Sequence, residues 1–255
     1  MEWFAAGVSV LMMGLEKGGF PVGALATPFL ILLWSNQQTA AKEVLGFLLP
    51  VMCLADVLAF LIYRREIQWK LLRPLLPAAV CAVAVSSWFV LPDDGIRAFV
   101  VPERWVKGVV GAAGLVFIAV KLFKAKLRQG VFAQETGFMR NLYGAAIGVV
   151  SVMSHSAGPL MQMYLLPKKL TNLQFAGTGV GMFFIVNWLK LIPYAALGRV
   201  TVESTVRSLF YLPLIPLGFW GGWFLVKRLR PEIYQGVIYA ALFLTSVSLL
   251  WKACL

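Results

Sequence analysis

Gly14-Leu15-Glu16-Lys17-Gly18-Gly19-Phe20-Pro21 interrupts an apolar stretch running from 3 to 34, and Ser154-His155-Ser156-Ala157-Gly158-Pro159 interrupts another running from 139 to 167. Each stretch is too long for one comfortable membrane span, which takes about 20 residues. Glycine and proline free backbone groups that lipid cannot satisfy, so such breaks survive only where protein buries them or a cavity adjoins them. A chain with two breaks of this kind reads as a membrane protein with a site inside it.

The rest of the chain agrees. Six further apolar segments, roughly 43–63, 71–91, 105–123, 172–197, 205–226 and 233–251, each reach spanning length. Of the 255 residues, 60% are apolar and 13% charged, and the mean hydropathy is +0.81. A soluble domain is nearer half apolar and a quarter charged, so no soluble catalytic domain fits. The net charge of +12 does not mark a nucleic-acid binder, because Lys and Arg cluster between apolar runs, where they set membrane orientation. Cys53, Cys81 and Cys254 show no metal-site or disulfide spacing, and a single histidine argues against haem or redox chemistry. No metal and no cofactor is expected. The Lys17-Gly18-Gly19 interruption and the lack of a basic start make the N-terminal run a poor signal peptide.

The order of segments is broken, plain, plain, plain, and then the same again. Ile67 matches Val200 in the second set, and Pro28 stands 131 residues before Pro159. The expected architecture is all-α and polytopic, with a first repeat at 1–123, a basic cytoplasmic linker at 124–138 and a second repeat at 139–255. If both broken segments turn back as hairpins, the basic clusters 64–73, 121–140, 168–169 and 227–230 fall on one side. If both cross, the basic residues divide more evenly. The hairpin reading makes the halves inverted repeats, with limbs of about 14 residues and both termini outside.

Ionisable groups deep in a membrane are costly and mark function by default. Lys17, Asp56, His155 and Lys190 qualify, with Glu16 as a fifth. Lys17-Gly18-Gly19 reads as the opening of a half-helix whose free N–H groups and positive end hold an anion. Ser156-Ala157-Gly158-Pro159 reads as its partner, proline being suited to a first helical turn. Asn187 and Lys190, three apart, share a helix face. The expected substrate site is Lys17, Gly18, Gly19, His155, Ser156, Gly158, Asn187 and Lys190, with His155, Asp56 and Glu16 as candidates for proton coupling. Asp56 has a second reading as the internal partner of Lys17 or Lys190. Trp3, Trp34, Trp69, Trp105 and Trp251 read as interfacial anchors, and Gly108, Gly111 and Gly114 as a close-packing face. Tyr164, Tyr194 and Thr178 read as cavity-lining groups or as hydrogen bonds between helices. Ser154 or Ser156 beside His155 can be read as a nucleophile and base, but no acidic orienter is evident, and no catalytic residue is assigned.

These residues resemble a known family. Gly14 to Phe20 with Ala26-Thr27-Pro28 is similar to the first signature of the sulfite exporter TauE/SafE permeases. The stretch Leu48-Leu49-Pro50, Asp56, Tyr63-Arg64, Trp69 to Leu72 and Leu75-Leu76-Pro77 is similar to the family's next segment. Ser151 through Pro159 with Tyr164 to Pro167 resembles the second signature, and Phe184 with Asn187 to Tyr194 its continuation. The resemblance implies a multi-pass permease of a bacterial inner membrane that exports small sulfur-containing anions such as sulfite or organosulfonates. Its partners would be the anion and the bilayer. A different small organic anion, or a non-transporting assembly or sensor subunit, stays open as an alternative. Glu16 and Ser156 depart from the pattern, which expects a small or neutral residue at the first position and glycine or alanine at the second.

Overall fold

The computed structural model describes residues 1–36, 39–90, 103–124, 136–155 and 157–254. Residues 125–135 of the expected linker, and Ser156, lie outside the described residues. All regular structure among the described residues is helical. The first broken segment gives α1 (Glu2–Lys17) and α2 (Ala26–Leu32), joined through a 3₁₀ turn at Gly23–Leu25. Next come α3 (Ala40–Tyr63), α4 (Trp69–Leu72), α5 (Leu76–Val90) and α6 (Glu103–Lys124). The second broken segment gives α7 (Gly137–Ser154) and α8 (Gly158–Leu165), with a 3₁₀ turn after it at Leu166–Lys168. The chain ends with α9 (Asn172–Ala196), α10 (Val202–Leu209), α11 (Leu214–Arg228) and α12 (Pro231–Cys254).

Three helices, covering Glu43–Tyr63, Asn172–Ala196 and Pro231–Trp251, are long and apolar enough to cross a membrane alone. A fourth span forms if α10 and α11 are taken together, and these are bent by 56°. The expected plain segments 71–91 and 205–226 are therefore both divided. Pro74 and Pro213 stand at the divisions. Each proline removes a backbone donor that a continuous helix would use, although hydropathy runs on unbroken.

The first broken segment returns to where it began. Ser9 Oγ donates to Ala26 O at 3.2 Å, and the Glu2 carboxylate accepts from both the backbone N–H and the hydroxyl of Ser35. In the second, Tyr143 of α7 packs on Tyr164 of α8 with ring centroids 5.6 Å apart. The limbs are unequal, contrary to the expectation of about 14 residues each. The outgoing helices have 16 and 18 residues, whereas the returning ones have 7 and 8, because part of each return is spent on loop and 3₁₀ turn.

Small residues decide which helices touch. Gly14 lies against Ile215 and Gly218, and Gly18 against Phe219 and Gly222, so α1 and α11 run parallel. Gly144 lies against Leu75 and Ala78, and Gly148 against Ala79 and Ala82, so α7 and α5 also run parallel. By contrast α3 and α9 are antiparallel. Phe60 stacks on Phe184 with centroids 4.6 Å apart, and Gly177 sits against Tyr63. Packing of α6 against α12 is antiparallel too, through Gly111 and Gly114 on Leu250, Ser246 and Leu242. Close backbone approach is the means of helix association where lipid removes the hydrophobic drive. A methyl group on Gly18 would meet Trp223 N at 2.7 Å and Gly222 Cα at 2.9 Å, all backbone that cannot yield cheaply. Gly18→Ala is expected to cost about 1–3 kcal/mol, read as a lowered unfolding temperature in detergent. An unchanged temperature would show that α1 and α11 can part freely.

Trp3, Trp105 and Trp251 are exposed on the helix surfaces. Trp34 is not an anchor of that kind. It is buried, and its Nε1 donates to Glu43 at 2.7 Å, tying the end of the first hairpin to the start of α3.

Candidate functional site

Asp56 and Asn187 lie at the middle of the α3–α9 contact. Asn187 Nδ2 donates to Asp56 Oδ2 at 2.6 Å, and Lys17 Nζ approaches Asp56 Oδ1 to 2.5 Å. The Lys17–Asp56 contact is ionic rather than an aligned hydrogen bond, and both groups are buried. Lys17 Nζ also lies 5.6 Å from the Phe183 ring centroid on α9. Of the two lysines offered as an internal partner of Asp56, the contact is with Lys17, whose charge is balanced in place.

The backbone at this break also differs from expectation. Lys17 is the last residue of α1, and Gly18 and Gly19 end that helix rather than open another. Their N–H groups are spent on Gly14 O and Glu16 O. Gly19 takes φ 98°, a conformation that favours glycine. The freed carbonyls are claimed by tyrosines. Tyr63 OH donates to Gly18 O at 2.7 Å, Tyr234 OH to Gly19 O at 2.8 Å, and in the other half Tyr194 OH to Val152 O at 2.5 Å. The next helical turn after the first break begins only at Gly23. The residues alone place it about five positions too early, because a glycine pair serves a helix end as well as a helix start.

At the second break, Gly158 and Pro159 do stand in the first turn of α8. His155 ends α7 in the left-handed region at φ 52°, which a histidine tolerates better than most residues. Its ring lies 5.9 Å from that of Tyr194, and neither ring nitrogen has a hydrogen-bond partner among the described residues. Lys190 is fully buried, and its Nζ donates to Ser151 O at 3.1 Å and Ser151 Oγ at 3.0 Å. Among the described residues no carboxylate lies within ion-pair distance of it. A cavity of about 60 Å³ lies between the breaks, walled by Glu16, Lys17, Gly19 and Pro21 of the first, and by Gly158 of the second, with α8, α9 and Tyr234 completing it. His155, Asn187 and Lys190 stand outside its wall. Of the expected residues, Glu16, Lys17, Gly19 and Gly158 line the cavity, Asn187 joins the Lys17–Asp56 pair, Lys190 is held by Ser151, and Gly18 and His155 belong to none of these groups.

Tyr63, Tyr234 and Ser151 are not among the expected site residues. A tyrosine near the end of an apolar helix reads as an interface anchor, and nothing local reveals that its hydroxyl meets a broken helix far away in sequence. Tyr164 and Thr178 serve as links between helices. Tyr164 OH donates to Leu71 O at 3.0 Å, and Thr178 Oγ1 accepts from Gln68 N at 3.1 Å.

Long apolar helices, two breaks sealed by buried tyrosines and a polar chain in the interior mark a polytopic membrane protein. A family model described as Sulfite exporter TauE/SafE matches residues 4–249, and the chain belongs to that family of membrane transporters. No curated protein and no solved structure matches it.

Proposed function

We propose that the chain is a secondary-active carrier of small sulfur-containing anions such as sulfite or organosulfonates, built from inverted repeats at 1–123 and 139–255. The family match supports the substrate class, and the pattern of helix pairing carries the inverted repeats. Helices α3 with α9, and α6 with α12, meet antiparallel, while α1 runs beside α11 and α7 beside α5. A two-fold axis in the membrane plane produces that pattern, with each hairpin packed on the opposite half. Asp56 and Asn187, in direct contact, are 131 residues apart, the spacing that also separates Tyr63 from Tyr194 and Pro28 from Pro159.

In such a carrier the anion is taken up between the two breaks, beside Gly158 and the first turn of α8. Lys190, with neutral partners only, leaves positive charge in the interior, and Lys17 does so when Asp56 lets it go. Rocking of one repeat against the other about the α3–α9 contact gives alternating access. The test is flux into proteoliposomes of sulfite, thiosulfate, sulfate, sulfoacetate and taurine, with and without a pH gradient. The expected result is selective flux of at least one of them, tenfold or more above protein-free vesicles. No flux of any would overturn the reading.

A further inference from the structure

The Glu16 side chain occupies a place its own helix does not explain. It belongs to the last turn of α1, the end of a helix that disfavours negative charge. No described residue donates a hydrogen bond to its carboxylate or pairs with it, and the adjacent Lys17 is committed to Asp56. The carboxylate folds instead over Gly23 and toward Gly158. A methyl group on Gly23 would collide with it, and one on Gly158 would lie 3.5 Å from Oε1. Gly158 opens α8, whose first turn presents unpaired N–H groups and positive potential. Glu16 also lines the cavity between the breaks, and so does Gln162, whose Oε1 is buried without a hydrogen-bond partner among the described residues. The place assigned above to a substrate anion thus already holds a carboxyl group, covalently tethered.

Resting on the transport reading, we propose that the Glu16 carboxylate is the resting occupant of the anion seat beside α8, so that a substrate anion enters only as Glu16 takes up a proton. The charged groups facing it are Lys17 of α1 and Asp56 of α3. Tyr234 of α12 is the remaining titratable group on the wall, and the α8 and α9 walls present Met161, Gln162, Leu165, Phe175 and Phe183. The charges balance. A proton cancels the carboxylate, a monovalent anion restores one negative charge, and the loaded carrier has the net charge of the empty one. Proton and anion therefore move in the same direction, and the membrane potential does no work on the step. Direction is set by the sum of the two concentration gradients.

The probe is methanesulfonate, a monovalent anion that does not titrate near neutrality, applied to the purified full chain and its Glu16→Gln variant. Binding is read by thermal stabilisation and transport in proteoliposomes. Wild-type affinity is expected to fall about tenfold per pH unit on the alkaline side, as linkage to one proton requires, while the variant's affinity stays flat. Wild-type flux should track the pH gradient and ignore the membrane potential, and the variant should do the reverse. Glu16→Ala repeats the comparison in case glutamine retains the seat. Equal pH slopes in wild type and both variants overturn the assignment, as does loss of binding in variants that remain folded. Binding with the expected slopes but without flux would retire the transport reading and keep the assignment. Binding to neither protein would overturn both.

Discussion

Asp56→Ala is expected to be the most damaging single substitution in the polar interior, lowering stability by about 3–5 kcal/mol. The carboxylate is fully buried and holds two partners at once, Lys17 through Oδ1 and Asn187 through Oδ2. Removing it leaves the buried Lys17 ammonium with no described carboxylate at ion-pair distance, and uncovers the Asn187 amide as well. Both losses fall where α1, α3 and α9 meet. The cost belongs to the orphaned charge, not to the attraction of the pair, so removing both charges should recover much of it. Lys17→Met with Asp56→Leu is accordingly expected to be clearly more stable than Asp56→Ala alone. Cys53 supplies the measurement. It is buried three residues before Asp56 on α3, so its thiol reacts with a fluorogenic maleimide only on unfolding, in a background with serine at 81 and 254. A double variant as unstable as the single one would show that Asp56 does more than neutralise Lys17.

That pair also marks how far the interior is legible from residues alone. Both long breaks can be read because glycine and proline stand inside apolar runs too long for one helix, and the contrast is local. The divisions at Pro74 and Pro213 escape notice for the opposite reason, since a proline amid continuous hydropathy changes direction without changing solvent preference. The ionisable residues are conspicuous one by one, because each is expensive in lipid. Their pairings are not conspicuous. Whether Asp56 answers Lys17 or Lys190 depends on which helix faces which, and Gly14, Gly18, Gly218 and Gly222 decide that through contacts between segments about 200 residues apart. Glu16 is the extreme case. Its sequence position says only that a carboxylate ends α1, and its meaning comes from Gly23 and Gly158, which the fold brings to it.

Lys190→Met should remove transport while leaving the fold in place. Methionine keeps the length and apolar stem of lysine and loses only the ammonium, whose partners here are the neutral carbonyl and hydroxyl of Ser151. No buried carboxylate is orphaned by the change, so stability should hold or rise, unlike the Asp56 case. Function is expected to respond in the opposite sense. Lys190 stands outside the cavity wall, so its charge would act on the anion through the interior and not by contact. A field in a medium that excludes water is strong, and flux is expected to fall by about tenfold or more. Ser151→Ala separates charge from placement. It removes the hydroxyl and leaves the carbonyl to hold the ammonium, and its flux should drop by less than about tenfold. Arginine should not substitute, because a planar guanidinium does not fit where a compact ammonium is held at 3.1 and 3.0 Å by two atoms of one residue. Lys190→Met with undiminished flux would mean that Lys190 merely fastens α9 to α7, and that the positive charge an anion needs comes from Lys17, released when Asp56 turns away.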